Sequence, residues 1–526
     1  MQTRAEPQSE LFESVAPHRQ MVVRRGGRSV LRWAFAAVGY GLLTLAWLFA
    51  SPLGAAPDEA AHAVRAAAAG EGRWQGTAVT PYERNGQRTP AQAGLLNLVA
   101  QEFTVPARLL LPNPCFAGRP DQSAACANVQ PGPQGDSATV PTYETTAPPA
   151  VYAVAGAAMR LAQVPLAPGY LGRLALALLC ALLLAGAAWA AGGRGALWPL
   201  VGLALAATPM VLFLAASIGT AGVAAAAGIC LAAALGAFWL GPPRRGLEAV
   251  IAVSAVALAL SSAAGALSLV ALLAVVLPLV EPRRLTRPAA LLASIVVTAA
   301  AVTGVALALD HRPLPPGHVD LGEAVPVVAR SAPDLLARAV GAFGWGDVTL
   351  PAALVVGWGA LVVLGVATAL VIGGWRDRIA LLLALAAAFG LAVAAEAFVL
   401  APVGWDLTAP FLLPVLGAVP VLAGLVLHRA RVRPRADALL VGVAVIGFQL
   451  VAFGENARRY AVGRHGPIVF PDVAQWAPPA GWLPWLVVAG AGGLLVLLAL
   501  WPLRQSEYDE ELYGPLIVVD PLSVGR

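Results

Sequence analysis

Long, unbroken apolar runs organise this chain, and polar positions gather between them instead of alternating with them. The runs read at 29–50, 149–164, 170–191, 196–214, 217–240, 247–280, 288–309, 351–374, 379–402, 409–427, 437–453 and 483–503. Most approach or exceed the ~20 residues that a helix needs to cross a bilayer. Continuous apolarity without a period of two argues against a transmembrane barrel. The pattern predicts an all-α, polytopic integral membrane protein of about 12–13 transmembrane helices with a long first outer loop. Residues 247–280 leave two readings open, one long tilted span or two short helices broken at Ser261–Gly265.

The polar segments divide the chain into a tail (1–29), one transmembrane domain (30–503) and an acidic C-terminal tail (504–526). Arg19, Arg24, Arg25 and Arg28 precede the first run, and further basic clusters lie at 281–287 (EPRRLTR), 375–378 (WRDR) and 428–435 (HRARVRPR). Cytoplasmic loops carry an excess of arginine and lysine, so both tails and these clusters are expected in the cytoplasm. The loops at about 52–148, 310–349 and 454–482 then face outward. A single span over 247–280 satisfies parity but leaves Arg244 and Arg245 outside. Two short spans, with 196–240 as one crossing plus a re-entrant piece, satisfy both constraints.

Composition sharpens the class. Of 526 residues 59% are hydrophobic and only 12% charged, and mean hydropathy is +0.74. The 34 basic residues are all arginine. Together with the abundance of Ala, Gly and Pro, this codon bias predicts a high-GC bacterium such as an actinomycete, and a plasma-membrane location. The net charge of +5 belongs to arginines at membrane edges and does not describe a nucleic-acid-binding surface. The Arg-bearing tail runs directly into a full-length apolar run with no small-residue cleavage site, so no cleavable signal peptide is expected.

Three outer segments carry candidate chemistry. In APDEAAHAVRAA (56–67), Pro57 suits the first position of a helix, with Asp58 and Glu59 in its first turn. Helical spacing puts Asp58, His62 and Arg65 on one stripe. This can be a well-capped surface helix. It can equally be a site in which a carboxylate acts as general base and Arg65 receives phosphate. The pair could hold a divalent cation, Mg or Mn, although two carboxylates and one histidine do not specify a metal site. In NPCFAGRPDQSAAC (113–126), Cys115 and Cys126 share the outer loop, where an oxidising exterior favours a disulfide over two metal-binding thiols. In PTYETTAPPAVYAVAG (141–156), Pro148 and Pro149 start the next helix, and Tyr143 and Tyr152 suit the interfacial belt. Whether Tyr143 or Glu144 also lines a site is open. Glu396 falls inside the run 379–402, where an ionisable group defaults to a functional hypothesis. Asp406 lies just beyond it.

The order PDE-x-x-H-x-x-R after the first span, CFA…C in the outer loop, and Tyr…Pro-Pro…Tyr before the second span resembles the domain of unknown function 2142, a family of bacterial multispan proteins. That family in turn resembles the GT-C glycosyltransferases, which take sugars from polyprenyl-phosphate carriers on the outer membrane face. The similarity covers about residues 30–500. It implies a GT-C-like fold, a polyprenyl-phosphate-linked sugar donor and an envelope glycan or glycolipid acceptor. Asp58, with Glu59 beside it, matches the acidic catalytic position. Arg65 is the first candidate for the donor phosphate, followed by Arg312, Arg458 and Arg459. Two stretches depart from the family pattern: SIGTAG (217–222) lacks an acid after the fourth span, and TAPFLLP (408–414) lacks a Gly-Arg-Tyr. Asp406 is a substitute for the second. The expected function is a membrane glycosyltransferase. A non-catalytic partner in envelope assembly and a transporter or flippase of lipid-linked precursors are the alternatives.

Overall fold

The computed structural model describes residues 27–81, 89–112, 114–129, 135–164, 167–192, 196–241, 244–311, 317–432 and 436–501. Both tails, apart from the start of the first helix, lie outside this set, as does Arg312. In chain order the spanning helix α1 (Gly27–Ala50) is followed by the first long loop region with α2 (Glu59–Gly70), β1 (Thr77–Ala78), α3 (Pro90–Val99), β2 (Gln101–Pro106), β3 (Ser137–Thr142) and α4 (Pro149–Met159). The membrane part continues with α5 (Ala167–Ala191), α6 (Leu197–Ala206), α7 (Pro209–Ala215), α8 (Ala221–Leu240), α9 (Leu247–Ala259), α10 (Ala263–Val276), α11 (Pro282–Leu285) and α12 (Pro288–His311). Then follow α13 (Leu321–Gly341), β4 (Ala342–Phe343), β5 (Val348–Thr349), α14 (Ala352–Ile372), α15 (Trp375–Ala395), α16 (Leu413–Leu416), α17 (Ala418–Arg429), α18 (Ala436–Val462) and α19 (Trp482–Ala499).

The protein is a multi-span helical membrane protein. Among the described residues eight helices are long and apolar enough to cross a bilayer, or nine if α6 and α7, bent by 68°, form one broken span. The bend has a local cause: Thr208 caps α7 by accepting from the Val211 N–H at 3.3 Å, and Pro209 starts the new helix. Helix α8 is apolar all round and 94% of its apolar window is buried, so it is the bundle's axis. The other long helices bury at most half of theirs and turn the remainder outward.

Three of the expected spans, 149–164, 247–280 and 409–427, fall short, the last as the short apolar helices α16 and α17 over Leu413–Arg429, so the described residues hold fewer spans than the 12–13 expected. The run 149–164 forms only the 11-residue α4, about 16 Å long at 1.5 Å per residue, too short to cross. It lies beside α2, where Gly156 meets Ala66 and Gly70 so closely that a Cβ on Gly156 would sit 1.9 Å from the Ala66 carbonyl oxygen. The run 247–280 splits into α9 and α10, with Ser262 capping α10 through the Gly265 N–H at 3.0 Å. Both ends of that hairpin sit at one end of the bundle, because Arg284 donates to the carbonyls of Phe238 (2.5 Å) and Gly241 (2.9 Å) at the end of α8. With α4 not crossing and α9–α10 turning back, Arg244 and Arg245 join the other basic clusters.

The basic clusters share one end of the molecule. Arg429 pairs with Asp377 at 3.0 Å, Trp198 donates to the Val432 carbonyl at 3.0 Å, and Arg32 reaches the Trp501 carbonyl at 2.9 Å. The loops gather at the opposite end. There, β1, β2 and β3 form an antiparallel sheet in the order β1-β2-β3, with Thr77 opposite Glu102 and Gln101 opposite Thr142. Cys115 and Cys126 form a disulfide with Cα atoms 6.2 Å apart. The expected outer loop 310–349 contains the amphipathic α13, capped by Asp320 through the Gly322 N–H at 2.7 Å.

Candidate functional site

The chain leaves α1 at Ala50 and turns through Ser51–Asp58 before α2 begins. The spacing places Pro57 at the first helical position, but the helix starts two residues later. Asp58 is its N-cap, in the left-handed region at φ +62°. That region costs a side-chain-bearing residue energy, and aspartate is one of the few that tolerate it. The turn keeps the Asp58 carboxylate from capping its own helix. Its Oδ1 instead accepts from the Tyr143 hydroxyl at 2.6 Å. Oδ2 has no partner among the described residues, and Asp58 is half-buried.

Strand β3 delivers Tyr143 to this position. Thr142 donates to the Ala61 carbonyl at 2.9 Å and accepts from the Glu144 N–H at 3.2 Å, so the segment after β3 is fastened across the first turns of α2. One turn along α2, His62 Nδ1 shares a hydrogen bond of 2.7 Å with the Tyr152 hydroxyl, and Glu144 Oε2 lies 3.5 Å from the same nitrogen. The His62 and Tyr152 rings stack with centroids 5.8 Å apart. Gly219 of SIGTAG faces this ring, since a Cβ there would be 3.5 Å from His62 Cδ2. The stretch that departs from the family pattern therefore borders the site.

Glu59 goes elsewhere. It is wholly buried and accepts four hydrogen bonds: Oε1 from Arg173 Nε (2.6 Å) and the Ile218 N–H (2.9 Å), Oε2 from Arg173 Nη2 (2.5 Å) and the Gly54 N–H (2.7 Å). Arg173, also buried, donates besides to the carbonyls of Leu48 (3.0 Å), Ser51 (2.6 Å) and Pro52 (2.7 Å). A fork of five N–H groups meets a carboxylate and the end of α1 in one bidentate arrangement. The adjacent acids expected as a couple thus face different surroundings, and each Glu59 oxygen already accepts two hydrogen bonds.

Arg65 is 3% exposed. Nη2 donates to the Trp74 carbonyl at 2.8 Å, and the guanidinium lies over the Phe103 ring at 5.3 Å. Nε and Nη1 are buried and have no acceptor among the described residues. Burial pulls its pKa below the usual arginine value and the neighbouring Tyr152 pushes it up; a guanidinium remains a cation throughout. A buried donor without an acceptor costs free energy, and Arg458 Nε is a further buried donor without one.

The remaining sequence candidates lie apart. Arg459 is buried and pairs with Asp347 at 2.6 Å, and it donates to the carbonyls of Gln122 (2.6 Å), Phe116 (2.9 Å) and Arg119 (3.0 Å). It fastens the disulfide loop to α18. Arg458 pairs with Glu455 at 2.5 Å and donates to the Gly466 carbonyl at 3.2 Å. Neither arginine contacts Asp58. Glu396 opens a π-helical turn, Glu396–Leu400, that prolongs α15, within electrostatic reach of the exposed Asp406. Among the described residues no three His, Cys, Asp or Glu side chains are placed to hold a metal ion. Arg173 was the residue missed. It is the sole charged group in an apolar run, the signal that singled out Glu396.

The family model described as "Predicted membrane protein (DUF2142)" matches residues 42–406. Among solved structures the chain is similar to ArnT from Cupriavidus metallidurans, in crystal structures of the apo state and of the form bound to undecaprenyl phosphate. In each case identity is 17%, the TM-score is 0.40, and the match covers 91% of this chain and 77% of the other. No curated protein matches the chain.

Proposed function

The chain belongs to the DUF2142 family of predicted membrane proteins, and from that premise we propose that it is a membrane glycosyltransferase acting at its loop end. It moves a sugar from a polyprenyl-phosphate donor to an envelope glycan or glycolipid. The observation that carries the reading is the pairing, at one short helix, of a carboxylate with an open oxygen and a buried guanidinium with two unsatisfied nitrogens. These are Asp58 and Arg65. The loop end faces outward and the basic end the cytoplasm of a bacterial plasma membrane, as the arginine distribution favours.

In this reading Asp58 Oδ2 takes the proton of the acceptor hydroxyl as its oxygen bonds to the anomeric carbon. The bond from that carbon to the phosphate oxygen breaks, its electron pair leaves with the polyprenyl phosphate, and Arg65 receives the released charge through Nε and Nη1. The Tyr143 hydroxyl fixes the orientation of the base. Tyr152 and Glu144 hold His62 beside it. Glu59 and Arg173 hold the turn that presents Asp58, and Arg458 and Arg459 act in loop structure instead of phosphate binding.

A second reading, a non-catalytic assembly partner, draws on Gly219, which borders His62 where an acid is expected. Asp58→Asn in the native host separates the two. The transferase reading expects loss of one envelope sugar and accumulation of its lipid-linked precursor, with the protein at normal abundance. An unchanged envelope at normal abundance overturns the assignment of Asp58 as base.

A further inference from the structure

At the basic end, far from Asp58, a cleft of about 440 Å³ opens between the start of α9 and the start of α12, lined by Arg244, Arg245, Gly246, Glu248, Arg287, Pro288 and Ala289. Three arginines and one glutamate are among the residues that line it, from two loops some forty residues apart. Arg244 forms its fixed wall: it donates to the carbonyls of Trp189 (2.9 Å) and Ala190 (3.2 Å) and stacks over the Trp189 ring at 4.5 Å. Burial lowers its pKa, yet it stays charged. Arg245 and Arg287 are exposed and have no ion-pair partner among the described residues; Glu248 is bound to neither. Their neighbour Arg284 behaves differently, being satisfied by Glu281 at 2.9 Å and by the carbonyls at the end of α8. The first turns of α9 and α12 also line the cleft, and helix N-termini favour anions.

We propose that this cleft binds a phosphate-bearing anion, with Arg244, Arg245 and Arg287 as its ligands. A general excess of arginine at a cytoplasmic edge does not require three arginines from two separate loops to line one ligand-sized space, as they do here. Basic pockets between membrane helices at this level take anionic headgroups, and free phosphate offers the same chemistry.

The test uses the detergent-purified full chain with phosphatidylglycerol, phosphatidylcholine and inorganic phosphate as probes, read by native mass spectrometry and by the shift in melting temperature. The wild type is expected to retain one phosphatidylglycerol, or to be stabilised by inorganic phosphate, in preference to phosphatidylcholine. Arg245→Gln with Arg287→Gln should weaken that affinity roughly tenfold or more, since each lost charge-assisted bond is a substantial fraction of it. Lipid retention that inorganic phosphate does not displace identifies a headgroup site, and stabilisation by phosphate alone identifies a free-anion site. Arg283→Gln removes one charge from the same face outside the cleft and should leave binding unchanged. Equal loss with Arg283→Gln, or no difference between wild type and the double variant, overturns the proposal.

Discussion

Replacing Glu59 by alanine tests how the loop end is held. The change leaves the Arg173 guanidinium, 1% exposed, without its counter-charge, although three carbonyl acceptors at the end of α1 remain. Removing one partner of a buried ion pair costs about 3–5 kcal/mol, roughly a hundredfold to a few thousandfold in the folded fraction. The Gly54 and Ile218 N–H groups lose their acceptor as well. Each such orphan costs ~1–3 kcal/mol in isolation, but these groups form one network and their costs are not additive. Glu59→Gln keeps an acceptor oxygen and should lose less. Removing both charges, as Glu59→Leu with Arg173→Leu, should be less damaging than either single change, because no uncompensated charge remains. Melting curves of the detergent-solubilised protein, followed by size-exclusion fluorescence, give the ranking. The reasoning is refuted if Glu59→Ala melts with the wild type, or if the double variant melts below either single variant. Glycan analysis adds a separate check: Glu59→Gln protein that reaches the membrane should still transfer sugar. Loss of transfer at wild-type stability would return the base to Glu59.

Asp58→Gly should melt at or above the wild-type temperature, because glycine adopts φ +62° without steric penalty, while in the proposed transferase reading envelope sugar transfer is abolished; a lower melting temperature would show that the Tyr143 bond outweighs the backbone strain. Gly156→Ala places a methyl within 1.9 Å of the Ala66 carbonyl and should separate α2 from α4, costing at least the ~1–3 kcal/mol of ordinary overpacking. Gly94→Ala, in α3 with open space around it, is the control without a clash and should not lower the melt, since alanine is the better helix former. Single cysteines at Gly246 and Arg283 in a background lacking the native thiols should react with a membrane-impermeant maleimide from the same side, and one at Asp472 from the other; opposite reactivity of Gly246 and Arg283 would break the α9–α10 hairpin.

The spans were legible because crossing a bilayer is a matter of local length and apolarity, and both are written in consecutive residues. Helix α4 shows the limit of that signal. Its residues are as apolar as those of a span, but Val151, Tyr152, Ala155 and Met159 are buried inside the protein, and hydropathy does not distinguish a protein partner from lipid. The split at 260–262 was marked in the sequence by two serines, of which Ser262 supplies the cap. What the serines could not indicate was direction. That came from Arg284 reaching back to the end of α8, a contact between residues more than forty positions apart.

The candidate site was half legible for a related reason. Spacing gave the stripe Asp58, His62 and Arg65, because a helix brings residues four and seven apart to one face. It also made Asp58 and Glu59 look like a couple, since adjacent carboxylates share a neighbourhood in sequence. In the fold their backbones diverge. The left-handed turn at Asp58 carries its carboxylate toward Tyr143, and the first turn of α2 points Glu59 into the bundle. An arginine inside an apolar run demands a counter-charge, and 114 residues upstream Glu59 supplies it. That demand was readable at Arg173, although its partner was not. Once Arg173 takes Glu59, the acid left with an open oxygen is Asp58. The division between an anchoring and an open carboxylate therefore follows from a buried cation in α5, not from anything in the local motif itself.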